Sequence, residues 1–152
     1  MDSAASTDKR ATRDTDPTLG AVPSKRRRVL VVEDDAEMRS LLAGVLKQDG
    51  AEVVEGDDGE QLLHWAERAG SQPRRQLFDA IVSDIQMPDM TALDVLRRVP
   101  TMSRSAPLIL ITAFGDKRTS EEAYQLGAEL VLRKPVNLND FRAIVRSVAR
   151  AA

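Results

Sequence analysis

The chain has 152 residues, 42% of them hydrophobic and 30% charged, with no cysteine and a formal net charge of -2. That length suits one domain around a single adequate core, and the absence of cysteine excludes a disulfide framework and thiol chemistry while remaining compatible with a reducing cytosol. The charge argues against general nucleic-acid binding, no apolar run approaches the roughly 20 residues that span a bilayer, and the polar first residues lack the apolar centre of a secretory signal, so a cytoplasmic protein with no membrane insertion is expected.

Residues 1–28 are rich in Ser, Thr, Ala, Asp and basic groups, and a disordered tail is expected there. Seven basic residues against four acidic ones make it +3, which leaves -5 for residues 29–152, the expected folded domain. The cluster Lys25 to Arg28 reads as a solvated flank. Val29 to Val32 is an apolar β-rich run, followed by Glu33 and Asp34. Met38, Leu41, Leu42, Val45 and Leu46 then share one helix face, and Gly50 ends that helix.

Val53 and Val54 mark a weaker strand, and Leu62, Trp65, Ala66 and Ala69 a second helical stripe. His64, the only histidine, lies on that helix with no ligand-type neighbour and reads as structural or solvated. Residues 70–75, with Gly70, Ser71 and Pro73, form a loop. The run from Ala80 to Val82 reads as a buried strand that delivers Asp84 to the edge of its sheet, with Met87 and Pro88 in the loop beyond. Taken singly, such an Asp is a turn residue or helix cap; three further strand ends change that reading.

Ala92, Val95, Leu96 and Val99 predict a third helix, stopped by Pro100. Leu108 to Ile111 is the fourth strand, ending at Thr112, and a short helix over about Thr119 to Leu126 closes on Gly127. Leu130 to Leu132 is the fifth strand, leading to Lys134 and Pro135. Asn137 caps the last helix, whose inner face is Leu138, Phe141, Ile144, Val145 and Val148, with Arg142, Arg146 and Arg150 on its outer face.

Five strands alternating with five helices predict an α/β doubly wound parallel sheet, most simply in the flavodoxin-like order 2-1-3-4-5. In such a sheet Glu33, Asp34, Asp84, Thr112 and Lys134 meet at the carboxyl ends of the strands. Three carboxylates so close repel unless a cation or proton intervenes, and a hard divalent ion with oxygen ligands, such as Mg²⁺, answers that need. No Gly-rich phosphate loop of the nucleotide-enzyme kinds is present.

Val-Leu-Val-Val-Glu-Asp-Asp at 29–35, Asp84 with Met87-Pro88, Thr112-Ala113, and Leu-Gly-Ala at 126–128 followed by Lys134-Pro135 resemble the receiver domain of bacterial two-component response regulators over about residues 28–150. The resemblance implies that Asp84 is the phosphoryl acceptor, that Asp34 and Asp84 bind Mg²⁺ directly, Glu33 through water and Gln86 through its backbone carbonyl, and that Thr112 and Lys134 contact phosphate oxygens. It implies a sensor histidine kinase or histidine phosphotransfer protein as donor, a downstream protein target, and a phosphoacceptor that assists its own phosphorylation and dephosphorylation without being an enzyme. It also implies a cis peptide before Pro135. Since few residues follow the last helix, a stand-alone receiver is expected; the alternative is a pseudo-receiver, an interaction module that is not phosphorylated. Thr91-Ala92 depart from the family's Asp-Gly, and Val131 replaces the usual aromatic three residues before the lysine, so strain or rebuilding at Ala92 and a changed switch are both in view.

Overall fold

The computed structural model describes residues 26–72 and 76–149, so the expected tail lies outside the described residues as far as residue 25. Val29 to Val32 is apolar at every position because both faces of its strand are covered: Leu30 and Val32 enter one core, Val29 and Val31 the other. This strand, β1 (Arg28–Val32), pairs in parallel with β2 (Glu52–Gly56) on one side and β3 (Ala80–Asp84) on the other. Next to β3 runs β4 (Leu108–Thr112), and beyond it β5 (Leu130–Arg133). The sheet order is 2-1-3-4-5, all parallel, as the alternation of strands and helices predicts.

Helices α1 (Ala36–Gln48) and α6 (Leu138–Val148) cover one face through Leu42, Leu46, Phe141 and Val145. On the other lie α2 (Gly59–Ser71), α3 (Ala92–Arg98), α4 (Met102–Ser105) and α5 (Lys117–Gln125), contributing Leu62, Ala66, Val95, Leu96, Met102 and Ala123. Among the described residues the helix count is therefore six, not five. Pro100 does end α3, but the chain turns at once into α4, a single helical stretch whose Met102 is fully buried. Four residues are too few for an apolar period, which is why the pattern hides it. Gly127, at φ +108°, lies so near Ser103 of this turn that a Cβ there would collide with its side chain.

Three boundaries differ from expectation: α2 runs on through Gly70 and Ser71, where the loop is expected to begin, while residues 73–75 of that loop lie outside the described residues. Arg28 belongs to β1 rather than to a tail: its N–H donates to Asp79 Oδ2 at 2.8 Å, and its guanidinium lies 5.4 Å from the Phe78 ring centre. Helix α5 begins at Lys117, two residues early, because Asp116 caps it by accepting from Thr119 N–H at 2.7 Å. None of the described helices is long and apolar enough to cross a membrane.

Candidate functional site

At the carboxyl end of β1, three successive acidic residues are separated by the sheet edge into three environments. Glu33 is buried, its N–H donating to Gly56 O at 3.0 Å, and its Oε2 accepts from Asp35 N–H at 3.1 Å. Asp34 is exposed. Asp35 caps α1, accepting from the N–H groups of Glu37 and Met38 at 3.0 Å each. Asp84, the last residue of β3 and only 5% exposed, stands beside them. One carboxylate oxygen each from Glu33, Asp34 and Asp84 falls within 4.8 Å of the others.

Lys134, just past β5, reaches back over this group. Its Nζ lies 3.0 Å from Asp84 Oδ2 and 3.2 Å from Glu33 Oε1. The peptide between Lys134 and Pro135 is cis. Burial opposes the Lys134 charge, yet the bonds and charges of Asp84 and Glu33 outweigh it and hold its pKa above the ordinary lysine value. Burial raises the Glu33 carboxyl to about 7; the Asp84 charge adds to the rise, while the Asp35 N–H and Lys134 act against it.

A hard divalent cation fits the donor set. Each of the three candidate ligand atoms is a carboxylate oxygen, and Glu33 Oε1, though close to Lys134, is buried without an aligned hydrogen bond. Small oxygen-seeking ions that keep several waters, Mg²⁺ above all, match a cluster with one exposed member, Asp34, open to solvent.

The neighbouring loops complete the site. Gln86 N–H donates to Asp84 Oδ1 at 3.2 Å. Thr112, buried at the end of β4, donates its hydroxyl toward Gln86 Oε1 at 3.2 Å and accepts from Phe114 N–H at 3.0 Å. All five strand-end residues singled out in the sequence thus converge, with Gln86 beside them. The Gln86 side-chain bond to Thr112 joins residues 26 apart in sequence, beyond the reach of any local pattern. Two supports also escaped sequence reasoning. Arg39 donates to Glu33 O at 2.8 Å, and Asp89 accepts from Gly59 and Glu60 N–H at 2.9 Å each, tying the loop after Asp84 to the start of α2.

His64 is exposed on α2 with its ring edge-on to Trp65, as a residue without ligand neighbours should be. Arg142 and Arg146 are not a free outer face: both lie against Asp49, at 3.3 and 3.1 Å. They line, with Arg26 and Arg27, a hollow of about 370 Å³ near the start of β1. None of the acceptor-site residues reaches that hollow.

Residues 29–146 match the sequence pattern of the response regulator receiver domain. The chain is 34% identical over 138 residues to the transcriptional regulatory protein PdtaR of Mycobacterium tuberculosis, covering 90% of this chain and 63% of the relative. It is 30% identical over 123 residues to the transcriptional regulatory protein CpxR of Escherichia coli, covering 81% and 49%. It therefore spans about half to somewhat under two thirds of these relatives' lengths. Among solved structures it resembles the chemotaxis response regulator CheY4 of Vibrio cholerae, with TM-score 0.68 and 26% identity over 82% of this chain and 99% of that one. The beryllofluoride-activated DrrB receiver domain shares the fold at TM-score 0.68 and 22% identity, covering 82% of this chain and 97% of that one.

Proposed function

The chain belongs to the response regulator receiver domain family, and from that premise we propose that Asp84 accepts a phosphoryl group from a sensor histidine kinase or histidine phosphotransfer protein in a Mg²⁺-dependent reaction. The observation that carries this reading is the meeting of Lys134 Nζ, 3.0 Å away, and the carboxylates of Glu33 and Asp34 at one strand-end carboxylate, Asp84. The Asp84 carboxylate attacks the phosphorus, the donor's P–N bond breaks with its electron pair left on the imidazole, and an acyl phosphate forms. Lys134 offsets the negative charge on the transferring oxygens, and Thr112 donates its hydroxyl to one of them. Asp34 and Asp84 would hold Mg²⁺ directly, Glu33 through water and Gln86 through its backbone carbonyl; when bound, the ion neutralises phosphoryl charge. The domain is a phosphoacceptor that assists its own phosphorylation and dephosphorylation, and the modified form signals by contact with a downstream protein.

Incubation with acetyl phosphate and Mg²⁺ followed by intact-mass measurement tests this. The wild type is expected to gain one phosphoryl group and Asp84→Asn none, while the variant keeps its fold because the amide fills the same space. A variant that still gains the mass would defeat Asp84 as the single acceptor. The alternative, an unphosphorylated interaction module, draws on Val131 standing where the family carries an aromatic, and it requires that the wild type gain nothing.

A further inference from the structure

We propose that the Gln86 side chain is a latch that holds Thr112 in its resting orientation and so sets how readily Thr112 turns toward a modified Asp84; this rests on Asp84 being the acceptor. Gln86 follows β3 and Thr112 is the last residue of the adjacent strand β4, and their side chains join across the gap between Thr112 Oγ1 and Gln86 Oε1 at 3.2 Å. Thr112 is 1% exposed, so water does not compete for its hydroxyl. A hydroxyl has one proton to donate. While that proton goes to Gln86, or to Phe114 O, also at 3.2 Å, it cannot go to a phosphoryl oxygen.

The competition has a definite direction. An anionic phosphoryl oxygen is a stronger acceptor than a neutral amide, so it takes the proton when present, and the amide keeps it otherwise. The Gln86 backbone is itself held: its main-chain N–H donates to Asp84 Oδ1 at 3.2 Å, so the residue that carries the latch is anchored to the acceptor whose modification it must answer. Release of Thr112 also loosens its bond from Phe114 N–H at 3.0 Å, and Phe114 is 67% exposed. The next residue, Gly115, lies under the Arg133 guanidinium so closely that a Cβ there would collide with it. The hydroxyl's choice of acceptor is thereby linked to a surface aromatic and a surface arginine.

Three-bond couplings to the Thr112 methyl carbon, measured by NMR on the unphosphorylated, metal-free protein, read the latch directly. The wild type is expected to show one side-chain rotamer. Gln86→Leu, similar in size but without an acceptor, is expected to show averaged couplings, and Gln86→Glu, which keeps an oxygen at the same reach, to restore the single rotamer. With Mg²⁺ present, the affinity for beryllium fluoride as a phosphoryl mimic is expected to rise about three- to tenfold in Gln86→Leu, the effect of losing one neutral hydrogen bond that favours the resting form. Unchanged couplings or unchanged affinity in folded Gln86→Leu would overturn the proposal; Gln86→Ala takes its place if the leucine variant does not fold. The couplings need no phosphoryl chemistry. A wild type that gains no mass from acetyl phosphate would sink the phosphoacceptor reading, and the couplings alone would then decide the latch.

Discussion

Glu33, Asp34 and Asp35 are chemically alike and adjacent, yet only Glu33 is buried, and that difference governs its titration. Its pKa is raised from 4.5 to about 7, so the folded state binds a proton that the unfolded chain releases. The protonated group's contribution is therefore fully present below about pH 4.5 and is lost as pH rises through about 7. Glu33→Gln should raise the stability of the metal-free protein by about 1–3 kcal/mol at about pH 8. The gain should fade toward pH 4.5, as chemical denaturation at several pH values would show. Calorimetric Mg²⁺ affinity should weaken as pH falls through about 7 in the wild type, because binding must displace that proton, and less so in the variant.

At the scale of the elements, the departure at Thr91-Ala92 finds its explanation in helix α3. Thr91 is the N-cap: its side chain accepts from Asp94 N–H at 3.1 Å, and Asp94 accepts from Thr91 N–H at 3.1 Å, a reciprocal capping box. Ala92 is the first helical residue, fully buried, with its N–H donating to Ile85 O at 2.9 Å. A helical alanine carries no strain, so the loop is rebuilt as a helix start rather than forced into a glycine conformation. Thr91→Ala should lower stability by about 1 kcal/mol, measured by thermal denaturation. The other departure, Val131, lies on β5, the edge strand, and its N–H donates to the Tyr124 hydroxyl of α5 at 3.1 Å. An aromatic thus stands beside position 131, but it comes from the helix and closes a strand edge. Tyr124→Phe should speed hydrogen exchange at Val131 and cost about 0.5–1.5 kcal/mol.

The described residues form two apolar layers separated by one sheet, and among them every buried side chain of both layers belongs to Val29 or a later residue. Arg28 adds its contacts to Asp79 and Phe78 from the first position of β1. We propose that residues 1–24 add nothing to this core. Deleting them should leave the melting temperature and the phosphoryl uptake unchanged; a clear fall in melting temperature would show that they pack. The hollow lined by Arg26, Arg27, Arg142 and Arg146 would be the first region to report such an effect, since it lies beside the junction.

The sequence by itself determined the strands, their order and the strand-end residues that meet. Solid apolar runs demand cover on both faces, and parallel crossovers bring their carboxyl ends to one edge. It also marked α1 and α6 by their periodicity and Asn137 as a cap, because these are local regularities that neighbouring residues reveal. What it left open depended on distance in space. The α4 turn is too short to show a period, and Tyr124 meets Val131 seven residues away across a helix–strand gap. The bond between Gln86 and Thr112 joins residues 26 apart in sequence, through side chains that could each have bonded to water or to their own backbone. Only the packing of β3 against β4 brings the buried Thr112 hydroxyl to the partly buried Gln86 amide.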